Sequence, residues 1–224
     1  LPVCPGDIFV ATGWWTAHVI SDVYRWQKAA YLTENPLIYL IQDYEPGFYS
    51  WSSRYMLADS TYRLEIPTYA IFNSKLLEDY FTKNGYQFAK TWTFDPILND
   101  KIKQFLPEDG TVLAKKKQIL IYGRPSVERN AFSLIVYALK QWCEQYPQAK
   151  EWKILSAGEA HLDIALGHDC TLHSVGKLSL DAYAQMLLDS YAGISLMVSP
   201  HPSYPPLEMS TFGVQTITNC YGEK

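Results

Sequence analysis

Short apolar runs alternate along this chain with segments in which apolar residues recur every three or four positions. The runs with the length of buried strands are 7–12, 37–42, 68–73, 118–123, 152–157, 171–175, 194–198 and 215–218. The segments with helical spacing are 16–30, 53–60, 74–83, 97–105, 130–146, 179–191 and 206–212. Strands and helices in alternation are typical of an α/β protein whose strands lie parallel.

Two of the predicted helices begin at residues suited to capping. Asn130 and Ser179 precede the helical segments 130–146 and 179–191, and their side chains can accept hydrogen bonds from backbone N–H groups of a first turn. We therefore expect both residues to be N-caps.

The composition excludes several classes of protein. Of the 224 residues 48% are hydrophobic and 19% charged, which is typical of a folded globular chain. The formal net charge of −4 gives no basic field to hold nucleic acid. No apolar run reaches the roughly 18 residues of a membrane span. The fingerprints of dinucleotide oxidoreductases, P-loop NTPases and α/β-hydrolases are absent from the sequence.

The polar segment 107–117 is the best candidate for a domain boundary, because Pro, Gly and three lysines precede the next apolar run. It predicts one domain at 1–115 and another at 116–224. The chain lacks an initiator Met, and its last apolar run is followed by no helical segment. We expect it to be a piece of a longer protein, with the N-terminal domain incomplete. Cysteines without a C-x-x-C pair indicate reduced thiols and a cytoplasmic location.

Two strand-to-helix junctions in the second half carry groups suited to an anion. The run 118–123 ends in Gly123 and is followed by Arg124 and Arg129. The run 194–198 leads through a Pro/Ser/His loop into a short helix, and Glu208 is predicted in its first turn. Guanidinium groups and a helix N-terminus at the carboxyl edge of a parallel sheet would bind a nucleotide diphosphate. Arg129 could instead be a surface residue paired with a carboxylate.

Further candidates lie close to these junctions. Lys177 follows Val175 and Gly176 at the end of another predicted strand, where its charge would add to a phosphate site or be simply solvated. Ser203 and Tyr204 lie in the loop before Glu208 and could reach a diphosphate or a base.

The first half offers weaker candidates. Asp43 and Glu45 follow the run 37–42 and could act as a general base, or could cap nearby N–H groups. Gly13 directly follows the run 7–12 and could face the cleft between the two predicted domains. The five histidines show no metal-ligand spacing.

These motifs resemble the donor-binding domain of GT-B glycosyltransferases, in particular glycosyltransferase family 4. The family shows a strand, Gly-Arg, and a second basic residue five positions after the Arg, usually Lys; here the second is Arg129. Glu208 matches the second Glu of the family's E-x7-E element, whereas Pro200 stands where the first would fall. The segment HSVGKLSLDAYAQML (173–187) is similar to a further family unit. The stretches 42–51 and 199–213 resemble those of rhamnosyltransferases of bacterial surface-polysaccharide assembly.

The resemblance implies two Rossmann-like domains with parallel sheets and transfer of a deoxyhexose, rhamnose from dTDP-rhamnose, to a glycan acceptor. The implied partners are a dTDP- or UDP-linked sugar and a glycan, with no nucleic acid. Peripheral association with the inner face of the membrane through missing regions stays open. No metal or other cofactor is expected, because basic residues would neutralise the diphosphate. The alternatives are a nucleotide-sugar 2-epimerase of the same architecture and a non-catalytic glycan- or nucleotide-binding fragment.

Overall fold

The computed structural model describes residues 2–107, 114–222 and 224. These residues form two compact units. The first unit comprises Leu1–Pro96, Ser199–Pro202 and Tyr221–Lys224, and the second comprises Ile97–Val198 and Ser203–Cys220. Each unit contains a sheet with parallel strands and helices in alternation, as the apolar periodicity predicts.

The first unit contains a parallel sheet whose strands follow chain order, β1-β2-β3-β4. Its strands are β1 (Val10–Ala11), β2 (Leu37–Ile41), β3 (Thr68–Phe72) and β4 (Lys90–Thr93). Its helices are α1 (Trp14–Tyr31), α2 (Ser53–Ser60) and α3 (Lys75–Lys83), with a 3₁₀ turn at Glu45–Phe48. The neighbouring strands β1 and β2 run in the same direction, so the residues that follow them share one edge of the sheet.

The core of the first unit is rich in aromatic side chains. Tyr39 of β2 and Phe72 of β3 are fully buried. They share a cluster with Tyr24 of α1 and Phe81 of α3, and the cluster fixes both helices to the sheet. The Phe81 ring lies edge-on to Tyr62, with 4.8 Å between the ring centroids.

The second unit contains a sheet in the order β10-β9-β5-β6-β8-β7, parallel except for β7. Its strands are β5 (Lys116–Gly123), β6 (Lys153–Gly158), β7 (Ile164–Gly167), β8 (Cys170–Gly176), β9 (Ser190–Ile194) and β10 (Gln215–Ile217). Its helices are α4 (Asp100–Lys103), α5 (Phe132–Gln145), α6 (Leu180–Asp189) and α7 (Tyr204–Thr211), with 3₁₀ turns at Glu128–Asn130 and Pro147–Glu151.

Two apolar clusters cover the two faces of this sheet. Ile119 and Ile121 of β5 pack with Ile135 of α5 on one face. Leu120, between them, packs on the other face with Leu187 of α6 and with side chains of α4 and α7. Side chains alternate along a strand, so a continuous apolar run such as β5 belongs to a sheet covered on both faces. This is the doubly wound arrangement.

The structure corrects several details of the prediction. The strand expected at 194–198 is β9, which occupies Ser190–Ile194. Beyond it the backbone is held by loop contacts, such as the bond from the Val198 N–H to the Arg129 carbonyl. Asn130 is not an N-cap: it lies in a 3₁₀ turn and donates its side-chain amide to the Leu196 carbonyl at 3.3 Å, while Ala131 precedes α5. Ser179 does cap α6, accepting from the Ala182 N–H.

The predicted boundary differs from the observed one. Residues 108–113 of the polar segment 107–117 lie outside the described residues. The structure groups the residues from Ile97 onward with the second unit, because Ile102 of α4 is buried against that unit's core. The assignment of acceptor and donor roles to 1–115 and 116–224 stays a prediction.

Candidate functional site

The second unit has a topological switch point between its neighbouring strands β5 and β9. The chain that leaves β5 forms α5 on one face of the sheet, and the chain that leaves β9 forms α7 on the other. Connections that diverge in this way open a crevice at the carboxyl edge, which is where doubly wound proteins bind ligands. Arg124, Arg129 and the start of α7 therefore belong to this edge, as the sequence predicts.

The ends of β5 and β6 approach each other closely at the same edge of the sheet. A Cβ added to Gly123 would lie 1.9 Å from the Oγ of Ser156, and Gly158 adopts a φ of +136°. The Glu159 N–H donates to the Gly123 carbonyl at 2.8 Å. The path of the backbone into Arg124 is set by this contact, which only glycine at position 123 allows.

The two predicted arginines occupy the turn between β5 and α5. Arg124 is half-buried and follows Gly123 directly. Arg129 lies in the 3₁₀ turn, and its carbonyl accepts the Val198 N–H at 2.7 Å. The turn that carries both guanidinium groups is thereby tied to the loop that follows β9, so the two predicted junctions are joined through the backbone.

A carboxylate that sequence reasoning missed lies beside Arg124. Glu159 follows Gly158 and accepts hydrogen bonds from the N–H and Oγ of Ser126 at 3.0 and 2.8 Å. These bonds, and then the charge of Arg124, lower the pKa of Glu159. The available signal was its position directly after a buried strand that ends in glycine, the pattern that identified Arg124.

His161 is a second residue that the sequence did not single out. Its Nε2 lies 2.8 Å from the Oγ of Ser156, and its backbone N–H donates to the Oγ of Ser174. Its ring lies edge-on to Phe132, with 5.0 Å between the ring centroids. The ends of β6 and β8 are joined through this residue, so it orders the edge on which Lys177 lies.

Lys177 is exposed and follows Gly176, whose φ is +64°. It lies at the carboxyl end of β8, separated from β5 by β6. Neighbouring strands are about 4.8 Å apart, so its backbone lies about 10 Å from that of Arg124 along the edge. The long side chain of Lys177 would let its ammonium group act across this distance.

The N-terminus of α7 offers fewer donors than the sequence suggests. Ser203 is its N-cap, buried and with a φ of +67°, and Tyr204 is the first helical residue. The next two residues, Pro205 and Pro206, have no N–H. The first turn therefore lacks two of the usual four backbone N–H donors, which makes a weaker anion site.

Glu208 is not in the first turn of α7 but in its second, because the helix begins at Tyr204. Its carboxylate accepts a hydrogen bond from the hydroxyl of Tyr183 at 3.0 Å. Burial raises the pKa of Glu208, and the bond from Tyr183 partly opposes this rise. The carboxylate is thus oriented by α6 before any ligand arrives.

The candidates of the first unit also share one sheet edge. Glu45 is buried, and its Oε2 accepts the Trp14 N–H at 2.6 Å, directly after the α1 N-cap Gly13. Asp43 is buried and accepts hydrogen bonds from the Tyr44 N–H, at 2.8 Å, and from the hydroxyl of Ser199. The bonds from the Trp14 and Tyr44 N–H groups agree with the alternative that Glu45 and Asp43 cap nearby backbone N–H groups. A role for either carboxylate as a general base stays a prediction.

The described residues contain neither a metal-ligand group nor a membrane-spanning helix. Within 2–107, 114–222 and 224, no three His, Cys, Asp or Glu side chains are grouped as metal ligands. Over the same ranges, no helix has both the length and the hydropathy to cross a membrane.

The architecture defines the class of protein. The fold is α/β with parallel, Rossmann-like sheets, of the GT-B type that the sequence predicts. A solved sucrose-phosphate synthase from Thermosynechococcus elongatus is similar, with a TM-score of 0.60 over 96% of this chain and 56% of that chain. The two sequences are 14% identical, so the likeness shows the fold alone.

Sequence comparisons narrow the class to a particular group. Residues 117–224 match the family model of the WsaF C-terminal domain, and residues 1–75 match that of the WsaF N-terminal domain. The O-antigen biosynthesis protein RfbC of Myxococcus xanthus is 32% identical over 222 residues, which are 98% of this chain. The chain spans only 16% of the length of that relative. The activity of the complete protein, family 4 membership and rhamnosyl specificity therefore stay predictions.

Proposed function

We propose that the chain is a part of a glycosyltransferase. The complete enzyme would transfer a deoxyhexose to a surface polysaccharide or another glycan acceptor, and the sugar would be rhamnose, donated by dTDP-rhamnose. The observation that carries the proposal is the switch point of the second unit, where Arg124, Arg129 and the start of α7 belong to one sheet edge. The WsaF matches and the name of the RfbC relative favour polysaccharide assembly as the setting.

The reaction needs stabilisation of a leaving group. An acceptor hydroxyl forms a bond to the anomeric carbon while the bond from that carbon to the diphosphate breaks, and its electron pair stays on the diphosphate. Arg124, held by the contact beneath Gly123, is suited to stabilise the developing charge with a planar, permanent cation. Arg129 and Lys177 add charge from the same edge, and the N–H groups of Ser203 and Tyr204 add dipoles.

Glu208 is suited to hold the nucleotide sugar. A carboxylate already positioned by Tyr183 accepts hydrogen bonds from ribose or deoxyribose hydroxyls without further ordering. Pro200 stands where family members carry the first Glu of the E-x7-E element. A 6-deoxy sugar has one hydroxyl fewer to bind, which favours rhamnose as the donor sugar.

In this proposal the first unit binds the acceptor glycan and supplies the general base. From a β-linked donor to an α-linked product the reaction inverts the anomeric centre and requires a base, for which Asp43 or Glu45 is proposed. Gly13 allows the backbone to approach a ligand at the same edge. A retaining reaction would need no such base.

The proposal includes a donor site that works without a metal ion. Three cationic side chains follow strands of the second sheet. The carboxylates of Glu208 and Glu159 already accept hydrogen bonds from Tyr183 and Ser126, whereas a metal site needs several oxygen ligands that converge on one point. A cytoplasmic location, where nucleotide sugars are used, is part of the same proposal.

Mass spectrometry of products tests the function. The complete protein is incubated with dTDP-rhamnose or UDP-glucose and a rhamnose-terminated oligosaccharide, beside its Arg124→Ala variant. A new glycosidic linkage that depends on Arg124 and on dTDP-rhamnose supports the proposal. An isomerised donor identifies an epimerase instead, and an unchanged donor that nevertheless raises the melting temperature identifies a binding module.

A further inference from the structure

A cleft of about 590 Å³ lies in the first unit, beside helix α1 and the segment that joins α2 to β3. This volume falls within the roughly 300–1,000 Å³ of small-molecule sites. One wall includes Asp22, Tyr24 and Arg25 of α1, and the other includes Arg63 and Glu65. None of these residues belongs to the proposed transfer site.

The cleft and the transfer-site candidates of this unit lie toward opposite edges of the sheet. Helix α1 starts directly after β1 and runs back along the sheet, so Arg25 lies in its second half. Arg63 and Glu65 come just before β3, whose first residue is Thr68. The cleft therefore lies toward the amino ends of the strands, whereas Gly13, Asp43 and Glu45 follow their carboxyl ends.

The cations of the cleft are all paired with carboxylates. Arg25 contacts Asp22 at 2.8 Å, and Arg63 contacts Asp59 at 3.1 Å. The third cation in the lining, Lys28, pairs with Glu34. Since Glu65 is a further carboxylate in the lining, the cleft has no excess of positive charge that would favour an anion.

Paired charges place hydrogen-bond donors next to acceptors. Each guanidinium has five N–H donors, and each ion pair at Arg25 and Arg63 joins one of its nitrogens to one carboxylate oxygen. A sugar hydroxyl both donates and accepts, so neighbouring hydroxyls of a pyranose match such a pair. The guanidinium of Arg63 is also fixed over the ring of Tyr86, at 4.2 Å from its centroid, which orders this wall in advance.

The hydroxyl of Tyr24 gives evidence for a ligand that is independent of the ion pairs. Its side chain lines the cleft but is only 3% exposed. Among the residues that the structure describes, none is a hydrogen-bond partner of its hydroxyl. Buried hydroxyls in proteins normally bond to protein, water or ligand. The Tyr24 hydroxyl is itself buried, so a molecule in the cleft would bond to it after a small turn of the side chain.

We propose that this cleft is a second saccharide-binding site, selective for uncharged sugar residues of a glycan. It would hold a sugar residue at a distance from the edge where transfer is proposed. The inference does not depend on the transfer reaction, because it rests on the lining of the cleft and is read out as binding.

The test is an NMR titration of the ¹⁵N-labelled 224-residue chain with rhamnose, mannose, glucose and galactose, and separately with glucuronate and inorganic phosphate. At least one neutral sugar should shift the amide resonances of residues 22–28 and 60–66 at millimolar concentration, more strongly than either anion. No shift with any neutral sugar, or equal shifts with the anions, overturns the proposal.

A matched pair of variants tests the role of Tyr24. Tyr24→Phe should weaken binding of the best sugar about fivefold, the equivalent of one neutral hydrogen bond of about 1 kcal/mol. Its melting temperature should not fall, since the hydroxyl has no partner among the described residues. Tyr31→Phe is the control, because that hydroxyl donates to the Val3 carbonyl and the residue does not line the cleft. Equal affinity in Tyr24→Phe and the unmodified chain contradicts the assignment.

Glu65→Gln is a second test variant, and its substitution lies outside the hydrophobic core. Glu65 is exposed, so its replacement should leave folding intact. The loss of a charged acceptor should lower sugar affinity about tenfold, as expected for hydrogen bonds to charged groups. Unchanged affinity in this variant would show that the sugar does not contact the cleft.

Discussion

Gly123→Ala tests the contact that positions the proposed phosphate site. The added methyl group would lie 1.9 Å from the Oγ of Ser156, 3.1 Å from the Phe132 ring and 3.2 Å from the Ser156 Cβ. Ser156 is fully buried and its hydroxyl is engaged with His161, so it cannot turn toward solvent. The strand ends must therefore separate, and Arg124 moves with them.

The size of the effect follows from two contributions. Overpacking of a buried site costs about 1–3 kcal/mol. Loss of the bond between Ser156 and His161 costs about 1 kcal/mol more. Gly123→Ala should thus lower the free energy of unfolding of the second unit by about 2–4 kcal/mol, and dTDP affinity should fall with it.

Urea unfolding followed by tryptophan fluorescence measures this loss, since Trp142 and Trp152 both lie in the second unit. Gly47→Ala is the control, because the nearest atom to its added methyl group is 3.6 Å away, at an ordinary contact distance. It should change the free energy of unfolding by less than about 0.5 kcal/mol.

A double variant identifies the cause. Ser156→Ala removes the closest atom, so Gly123→Ala with Ser156→Ala should be at least about 1 kcal/mol more stable than Gly123→Ala alone. The reasoning is refuted if Gly123→Ala behaves like the control, or if the second substitution recovers no stability.

Three further predictions concern the donor site. Arg124→Ala should reduce kcat about a hundredfold, on the order of 3 kcal/mol, and Arg129→Ala less, because the backbone at Arg124 is fixed by the strand contact; equal losses would refute this ranking. Transfer by the complete protein should continue in excess EDTA, and activity that returns only with Mg²⁺ or Mn²⁺ would show a metal site. Because burial raises the pKa of Glu208 above 4.5, stability should fall as pH rises from 4.5 through the folded-state pKa. Glu208→Gln should remove this fall in urea unfolding at a series of pH values while weakening nucleotide binding, and an unchanged pH dependence would contradict it.

Much of the architecture is present in local patterns of the sequence. The helix predicted at 53–60 is α2, with the same bounds, and the run 118–123 is the central strand β5. Burial on one face of a helix, or on both faces of a strand, imposes a spacing of apolar residues that can be recognised in the sequence. The Gly-Arg junction after β5 was predictable for the same reason, because a polar residue that follows a buried strand must lie at a sheet edge.

Edge strands and capping residues were harder to predict from the sequence. Strand β4 was missed because its four residues are all exposed, so its pairing with β3 rests on backbone hydrogen bonds and not on an apolar pattern. Strand β7 was missed because it is a short edge partner of β8. Asn130 was expected at a helix start, but tertiary structure gave its amide a carbonyl partner 66 residues away.

The partners of the polar groups were decided by the tertiary structure alone. Sequence reasoning selected Glu45 as a candidate base, and the fold places its carboxylate on the N–H of Trp14, 31 residues earlier. Glu159 and His161 were not selected, although strand order brings one to Ser126 and the other to Ser156 and Ser174. Periodicity reports which side of an element is buried, because burial acts on every residue of that element. A hydrogen bond depends on two groups meeting within about 3 Å, and only the order and register of the strands determine which two groups meet.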